Sequence, residues 1–75
     1  MRIDNETIYI IRRVYQLTAK ELGDLLGYSQ TYVSRLERGL ENVTDNVVDK
    51  LVSTFKLDAE RLEEIRETYL KFSIR

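Results

Sequence analysis

Residues 17–39, LTAKELGDLLGYSQTYVSRLERG, constrain the fold of this 75-residue chain more than any other segment. Thr18 and Glu21 have the spacing of a capping box, which predicts a short helix over residues 19–26. Gly27 follows, and glycine accepts the left-handed conformation that ends many helices without a steric penalty. The segment therefore starts with one short helix whose two ends are both defined by the sequence.

A second short helix follows closely. Ser29 is suited to cap it, residues 30–38 form it, and Gly39 ends it. Two short helices joined by a tight turn that contains glycine are typical of a helix-turn-helix motif, in which the second helix is presented outward. Gly23 is unusual, because glycine inside a helix costs about 1 kcal/mol relative to alanine. We interpret it as a small residue that allows the two helices to approach closely.

The remaining sequence is also predicted to be helical. Apolar residues recur at spacings of three and four, no long stretch alternates with period two, and proline is absent. We therefore expect an all-α fold, a compact bundle of about five helices in a single domain over residues 1–75. The helices are predicted over residues 5–15, 19–26, 30–38, 45–55 and 59–72.

Each helix has an apolar stripe that is expected to face the core. The stripes are Ile8, Ile11 and Tyr15 or Val14; Leu22, Leu25 and Leu26; Val33 and Leu36; Val47, Val48, Leu51, Val52 and Phe55; and Leu62, Ile65, Tyr69 and Phe72. The last stripe is long for a helix that only closes the core. Its final part, Tyr69, Leu70, Phe72 and Ile74, is interpreted either as a dimer surface or as an extra packed turn with a frayed tail.

Composition argues against an enzyme. The chain contains no His and no Cys, so it lacks the usual general base, the commonest metal ligand and any thiolate. The acidic residues of the fifth helix alternate with Arg and Lys at helical spacings, which indicates a solvated face. We expect no catalytic residues, no metal site and no cofactor.

Charge and hydropathy bear on the partners. No apolar run approaches the ~18 residues that span a membrane, so no membrane partner is expected and a cytoplasmic location is predicted. The formal net charge is −1, which does not favour nucleic acid. However, residues 1–40 contain six basic and five acidic residues, whereas residues 41–75 contain six and eight. A DNA-binding patch would therefore lie on the N-terminal half.

The second helix of the motif has a polar face opposite its core-facing residues. Glutamine suits adenine and arginine suits guanine, each discriminating by roughly 1–3 kcal/mol. Tyr32 lies beside this face, where its hydroxyl can reach a phosphate or its ring a sugar. A solvated face is the alternative, but the location directly after the glycine turn favours base contacts. The candidate base-contacting residues are Gln30, Thr31, Ser34 and Arg35.

These motifs resemble those of the Cro and lambda-repressor-like helix-turn-helix family, also called the Xre type. The resemblance covers about residues 5–65. It includes Ile8 to Arg12, Leu17-Thr18, Leu22 and Leu25-Leu26-Gly27, Tyr28-Ser29, and the run from Tyr32 to Gly39. It implies four or five helices, and usually a homodimer on an inverted repeat of double-stranded DNA.

The resemblance also implies roles for individual residues. The base contacts fall on the four residues named above. Arg12 would pair with Glu37, which makes Arg12 structural and removes it from the phosphate contacts. The family's phosphate contacts fall on Thr18, Ala19, Lys20 and Arg38.

Three departures from the family pattern weaken the expected binding. Ala19 replaces a glutamine that commonly clamps a phosphate, so that contact is lost or made by backbone N–H groups. The loop after Gly39 reads Leu-Glu-Asn-Val instead of carrying basic residues, and Glu41 would repel a nearby phosphate. The net charge is also slightly acidic. We expect weaker non-specific binding to DNA than in a basic relative, and a binding constant that depends less steeply on salt concentration.

The leading hypothesis is a sequence-specific DNA-binding transcriptional regulator, a repressor of phage or mobile-element type with residues 30–38 in the major groove. It would act as a homodimer, at least on DNA, in a bacterial or phage-infected cell and in association with the nucleoid. The alternative is a protein-interaction module of the same fold, antitoxin-like or a modulator of another regulator, with weak or no DNA binding. The acidic C-terminal half and the apolar end of the fifth helix favour this protein partner. Both roles can coexist.

Overall fold

Five α-helices account for most of residues 2–73, the part of the chain that the computed structural model describes. They are α1 (Asn5–Val14), α2 (Ala19–Leu26), α3 (Gln30–Glu37), α4 (Asp45–Phe55) and α5 (Ala59–Ser73). This confirms the predicted all-α bundle of about five helices, and each helix end lies within one residue of its expected position.

Local capping explains where the helices begin. In α2, the Thr18 hydroxyl accepts the N–H of Glu21 at 3.0 Å, and the Glu21 carboxylate accepts the N–H of Thr18 at 2.8 Å. This is the predicted capping box, which satisfies two backbone donors at once. The side chain before each of the other helices accepts the N–H three residues later; these residues are Asp4, Ser29, Thr44 and Asp58.

The five helices pack around one core. α1 packs against α3 and α5, while α2 packs against α3 and α4. Within residues 2–73, thirteen apolar side chains form one buried cluster, and every helix contributes to it. They are Ile3, Ile8, Ile10, Ile11, Leu22, Leu26, Val33, Leu36, Val47, Leu51, Leu57, Leu62 and Ile65.

Two residues of the predicted apolar stripes are exposed, namely Leu25, which was expected in the core, and Phe72, for which an exposed dimer surface was one of two interpretations. Leu25 keeps 53% of its surface accessible, because Leu22 and Leu26 already fill the inner face of the short helix α2. Phe72 is 65% exposed, and its neighbour Leu70 is 56% exposed. The last turn of α5 therefore extends past the part of the helix that closes the core. Tyr69 is half-buried and contacts Tyr9 edge to face at 6.3 Å between ring centroids.

The turn between α2 and α3 has the close packing that Gly23 predicts. A Cβ atom at Gly23 would come within 2.5 Å of the Tyr28 carbonyl oxygen, so no larger residue fits without a backbone shift. Gly27 has the expected left-handed conformation, with φ of 81°. These two glycines bring the start of α3 directly over α2 and so determine how α3 is presented.

Candidate nucleic-acid interface

α3 presents a polar face to solvent while its opposite face anchors it. Val33 and Leu36 are 0% and 1% exposed, and they fix the helix against the core. The four candidate base-contacting residues lie together on the outer face. Three of them, Gln30, Thr31 and Arg35, are exposed, and Ser34 is half-buried. The face is therefore accessible, and its helix is held in a single orientation.

A part-buried ion pair joins the end of α3 to α1. Arg12 donates from Nε and Nη2 to the two carboxylate oxygens of Glu37, at 2.7 and 2.9 Å. Its Nη1 donates to the Leu17 carbonyl at 3.0 Å. The hydrogen bonds from Arg12 to Glu37 raise the pKa of the guanidinium above its ordinary value. The structure thus contains the pair that the family resemblance implied, and Arg12 is engaged within the fold.

Arg35 also has an acidic partner, and the sequence did not predict it. Its Nε donates to the Glu41 carboxylate at 3.0 Å, and the two side chains are 45% and 40% exposed. Glu41 was expected only to repel phosphate. Instead, it lies against the residue expected to contact guanine, where the two charges partly neutralise each other.

The first turn of α2 offers backbone N–H groups at the start of the helix-turn-helix motif. The first backbone N–H group that bonds within this helix belongs to Leu22, which donates to the Thr18 carbonyl at 2.9 Å. The N–H groups of Ala19 and Lys20 precede it and have no acceptor within the helix, as is usual for a first turn. The Lys20 ammonium donates to Asp24 at 3.2 Å in an exposed pair. Backbone donors are thus available where Ala19 replaces the usual glutamine.

An aromatic pair covers the side of α3. The Tyr28 and Tyr32 rings lie 4.8 Å apart, and Lys50 of α4 lies 4.4 Å from the Tyr28 ring centroid. Tyr32 is half-buried against the core, so one side of its ring packs within the protein. Arg38 is exposed directly after α3. The contact between Lys50 and the Tyr28 ring was not predicted from the sequence, because no pattern along the chain links α4 to the turn before α3.

A family model described as a helix-turn-helix domain matches residues 11–65, which is most of the chain. The chain belongs to this helix-turn-helix family. The match includes all of α2, α3 and α4, and it confirms the resemblance found in the sequence. No curated protein and no solved structure matches the chain significantly.

A groove of about 810 Å³ adjoins the candidate interface of this helix-turn-helix domain, because Thr18 and Ala19 are among its lining residues. It runs between the end of α1, the start of α2 and the last turns of α5, and it includes Tyr9, Arg13, Tyr69 and Phe72. Of the proposed dimer surface, Tyr69 and Phe72 line this groove and Leu70 is exposed, whereas Ile74 lies outside the described residues. Within residues 2–73, no helix is long and apolar enough to cross a membrane.

Proposed function

We propose that this chain is a sequence-specific, double-stranded DNA-binding regulator that inserts α3 into the major groove. The observation that carries the proposal is the combination of an exposed polar face with a helix held rigidly from behind. A base-reading helix must keep its side chains in register with the base pairs, and here the core and the Arg12–Glu37 pair supply that support. Gln30, Thr31, Ser34 and Arg35 are the proposed base contacts.

Backbone contacts are proposed on both sides of that face. The first-turn N–H groups of Ala19 and Lys20 suit one phosphate, since helix N-termini bind anions. The side chains of Thr18, Lys20, Tyr32 and Arg38 add further proposed contacts. Loss of Lys20 or Arg38 is expected to weaken binding to all sequences alike, whereas loss of Gln30 or Arg35 is expected to relax preference at single base pairs.

The regulatory action that we propose is repression by occupying promoter DNA, in the cytoplasm of a bacterial or phage-infected cell and at the nucleoid. The proposed form on DNA is a homodimer. Two motifs of this kind read half-sites centred roughly 34 Å apart, which corresponds to an inverted repeat with one helical turn between centres. We propose binding and not catalysis as the activity, since the sequence contains neither His nor Cys.

The test is selection of bound duplexes from random-sequence DNA, followed by affinity measurements at two salt concentrations. The proposal predicts an enriched inverted repeat and an affinity that falls as the salt concentration rises. In a plot of the logarithm of the binding constant against the logarithm of the salt concentration, each phosphate neutralised contributes about −0.9 to the slope. A folded protein that enriches no sequence would contradict it.

A second candidate function is binding of a protein partner through the end of α5. Leu70 and Phe72 are 56% and 65% exposed, and Phe72 borders the groove described above. A stable complex with another protein that depends on these two side chains, with no salt-sensitive retention on DNA, would favour this function over the first.

A further inference from the structure

The loop after α3 is fastened to α1, and this fixes the position of Glu41. The Asn5 amide nitrogen donates to the Leu36 carbonyl at 2.6 Å and to the Glu41 carbonyl at 2.9 Å. One side chain thus uses both of its N–H donors to join the end of α3 to the loop that follows it. In the same turn, the N–H of Leu40 donates to the Arg35 carbonyl at 2.9 Å. The backbone of Glu41 is therefore held next to the last turn of α3.

The hydrogen bond between Glu41 and Arg35 uses only part of the guanidinium. The carboxylate contacts Nε, and within residues 2–73 this is the one hydrogen bond of the Arg35 guanidinium. A guanidinium has five N–H donors in a planar fork, so a carboxylate on Nε leaves the edge formed by Nη1 and Nη2 available. That edge has the geometry needed for the two acceptors of guanine, O6 and N7.

We propose that Glu41 is a positioning residue that orients Arg35 for a bidentate contact with guanine. This inference rests on the proposed DNA-binding function. A free arginine side chain on a helix surface samples many rotamers, and ordering it on binding costs affinity. The carboxylate extends from a backbone that Asn5 holds in place, and its hydrogen bond to Nε restricts those rotamers before DNA arrives. Glu41 thus lowers general attraction to phosphate and raises preference for one base.

The experiment compares the affinity for the selected duplex with the affinity for duplexes that differ from it at one base pair. That base pair is the one at which the Arg35→Ala variant no longer distinguishes between bases. The variants are Glu41→Ala, Glu41→Gln and Arg35→Ala, with the double variant Arg35→Ala/Glu41→Ala. Glu63→Ala, which removes an exposed glutamate from α5, is the matched control for charge. Glutamine retains an oxygen that accepts from Nε, whereas alanine does not.

The expected result is a fall of about threefold or more in guanine preference for Glu41→Ala, which is a fraction of what a bidentate arginine provides. Glu41→Gln should retain most of the preference. Glu41→Ala should have no effect on guanine preference in the Arg35→Ala background, and Glu63→Ala should leave the preference of the otherwise unaltered protein unchanged.

Two results would overturn the proposal in distinguishable ways. If Arg35→Ala abolishes a guanine preference that Glu41→Ala leaves unchanged or increases, Glu41 does not position Arg35, and the DNA-binding function stands. If the unaltered protein shows no sequence preference, the proposed function fails and the role of Glu41 fails with it.

Discussion

Two Arg–Glu pairs each include one residue of the last turn of α3. They have the same chemistry but differ in their exposure to solvent. Arg12 and Glu37 are 16% and 8% exposed and share two hydrogen bonds, whereas Arg35 and Glu41 are 45% and 40% exposed and share one. A buried charge without its partner is strongly destabilising, whereas an exposed pair contributes little to stability. Burial therefore assigns the first pair to the fold, whereas the exposed second pair includes an arginine that we propose as a DNA contact.

The largest expected effect is the loss of the part-buried pair of Arg12 and Glu37. Glu37→Ala leaves the Arg12 guanidinium without its carboxylate, and we expect the free energy of unfolding to fall by about 3 kcal/mol, the lower end of the range for broken buried pairs, because Arg12 keeps some contact with solvent. Urea denaturation measures the change. The double variant Arg12→Met/Glu37→Leu is the control: it removes both charges and should lose much less stability. An equal loss in both variants would show that packing, not the unpaired charge, determines the effect.

The second largest expected loss of stability is that of Asp4→Ala, because hydrogen bonds connect the Asp4 carboxylate to the first turn of α1. Asp4 accepts from the backbone N–H and the hydroxyl of Thr7, at 2.9 and 2.7 Å, and the Thr7 hydroxyl oxygen accepts from Arg66 at 2.9 Å. Asp4→Ala removes the helix cap and leaves the buried Thr7 hydroxyl without its acceptor. We expect a loss of about 2 kcal/mol by denaturation at neutral pH.

Asp4 also predicts a pH dependence. The hydrogen bonds from Thr7 lower the pKa of its carboxyl below the ordinary value of 3.8. A carboxyl whose pKa is lower in the folded state stabilises the fold above its unfolded pKa, and this stabilisation is lost as the pH falls through the folded pKa. Stability should therefore fall below about pH 4, and less steeply in Asp4→Asn than in the unaltered protein. Parallel curves would show that other carboxyls dominate the acid response.

The smallest expected effect is that of the exposed pair on stability. Glu41→Ala should change the free energy of unfolding by less than about 1 kcal/mol, because solvent and salt screen the interaction. Denaturation at low and at raised salt concentration measures it, and the difference from the unaltered protein should shrink at raised salt. A loss as large as that of Glu37→Ala would contradict the distinction drawn between the two pairs.

The sequence predicted those features that depend on neighbouring residues. The capping box of Thr18 and Glu21, the turn at Gly27 and the close approach at Gly23 each involve residues a few positions apart, so local spacing was enough. Leu25 was wrongly assigned to the core, because periodicity indicates the direction of an apolar stripe but not how wide a stripe the neighbouring helices cover.

The two Arg–Glu pairs also differed in how far the sequence could predict them. The Arg12–Glu37 pair followed from the family resemblance, whereas the partner of Arg35 depends on the path of the loop after Gly39. That path is set by the amide of Asn5, 36 positions from Glu41 along the chain. No periodicity or local motif encodes such a contact. The contacts with DNA stay predictions, since they depend on a second molecule.

The base preference of Arg35→Ala, with its stability measured as the control, tests most directly whether the exposed face of α3 reads DNA. The variant's free energy of unfolding and its base preference on the selected duplex are compared with those of the unaltered protein. We predict unfolding free energies within about 0.5 kcal/mol of each other, as for a surface substitution, together with loss of preference at one base pair. A stable Arg35→Ala protein with its full sequence preference would contradict the assignment of α3 as the recognition helix.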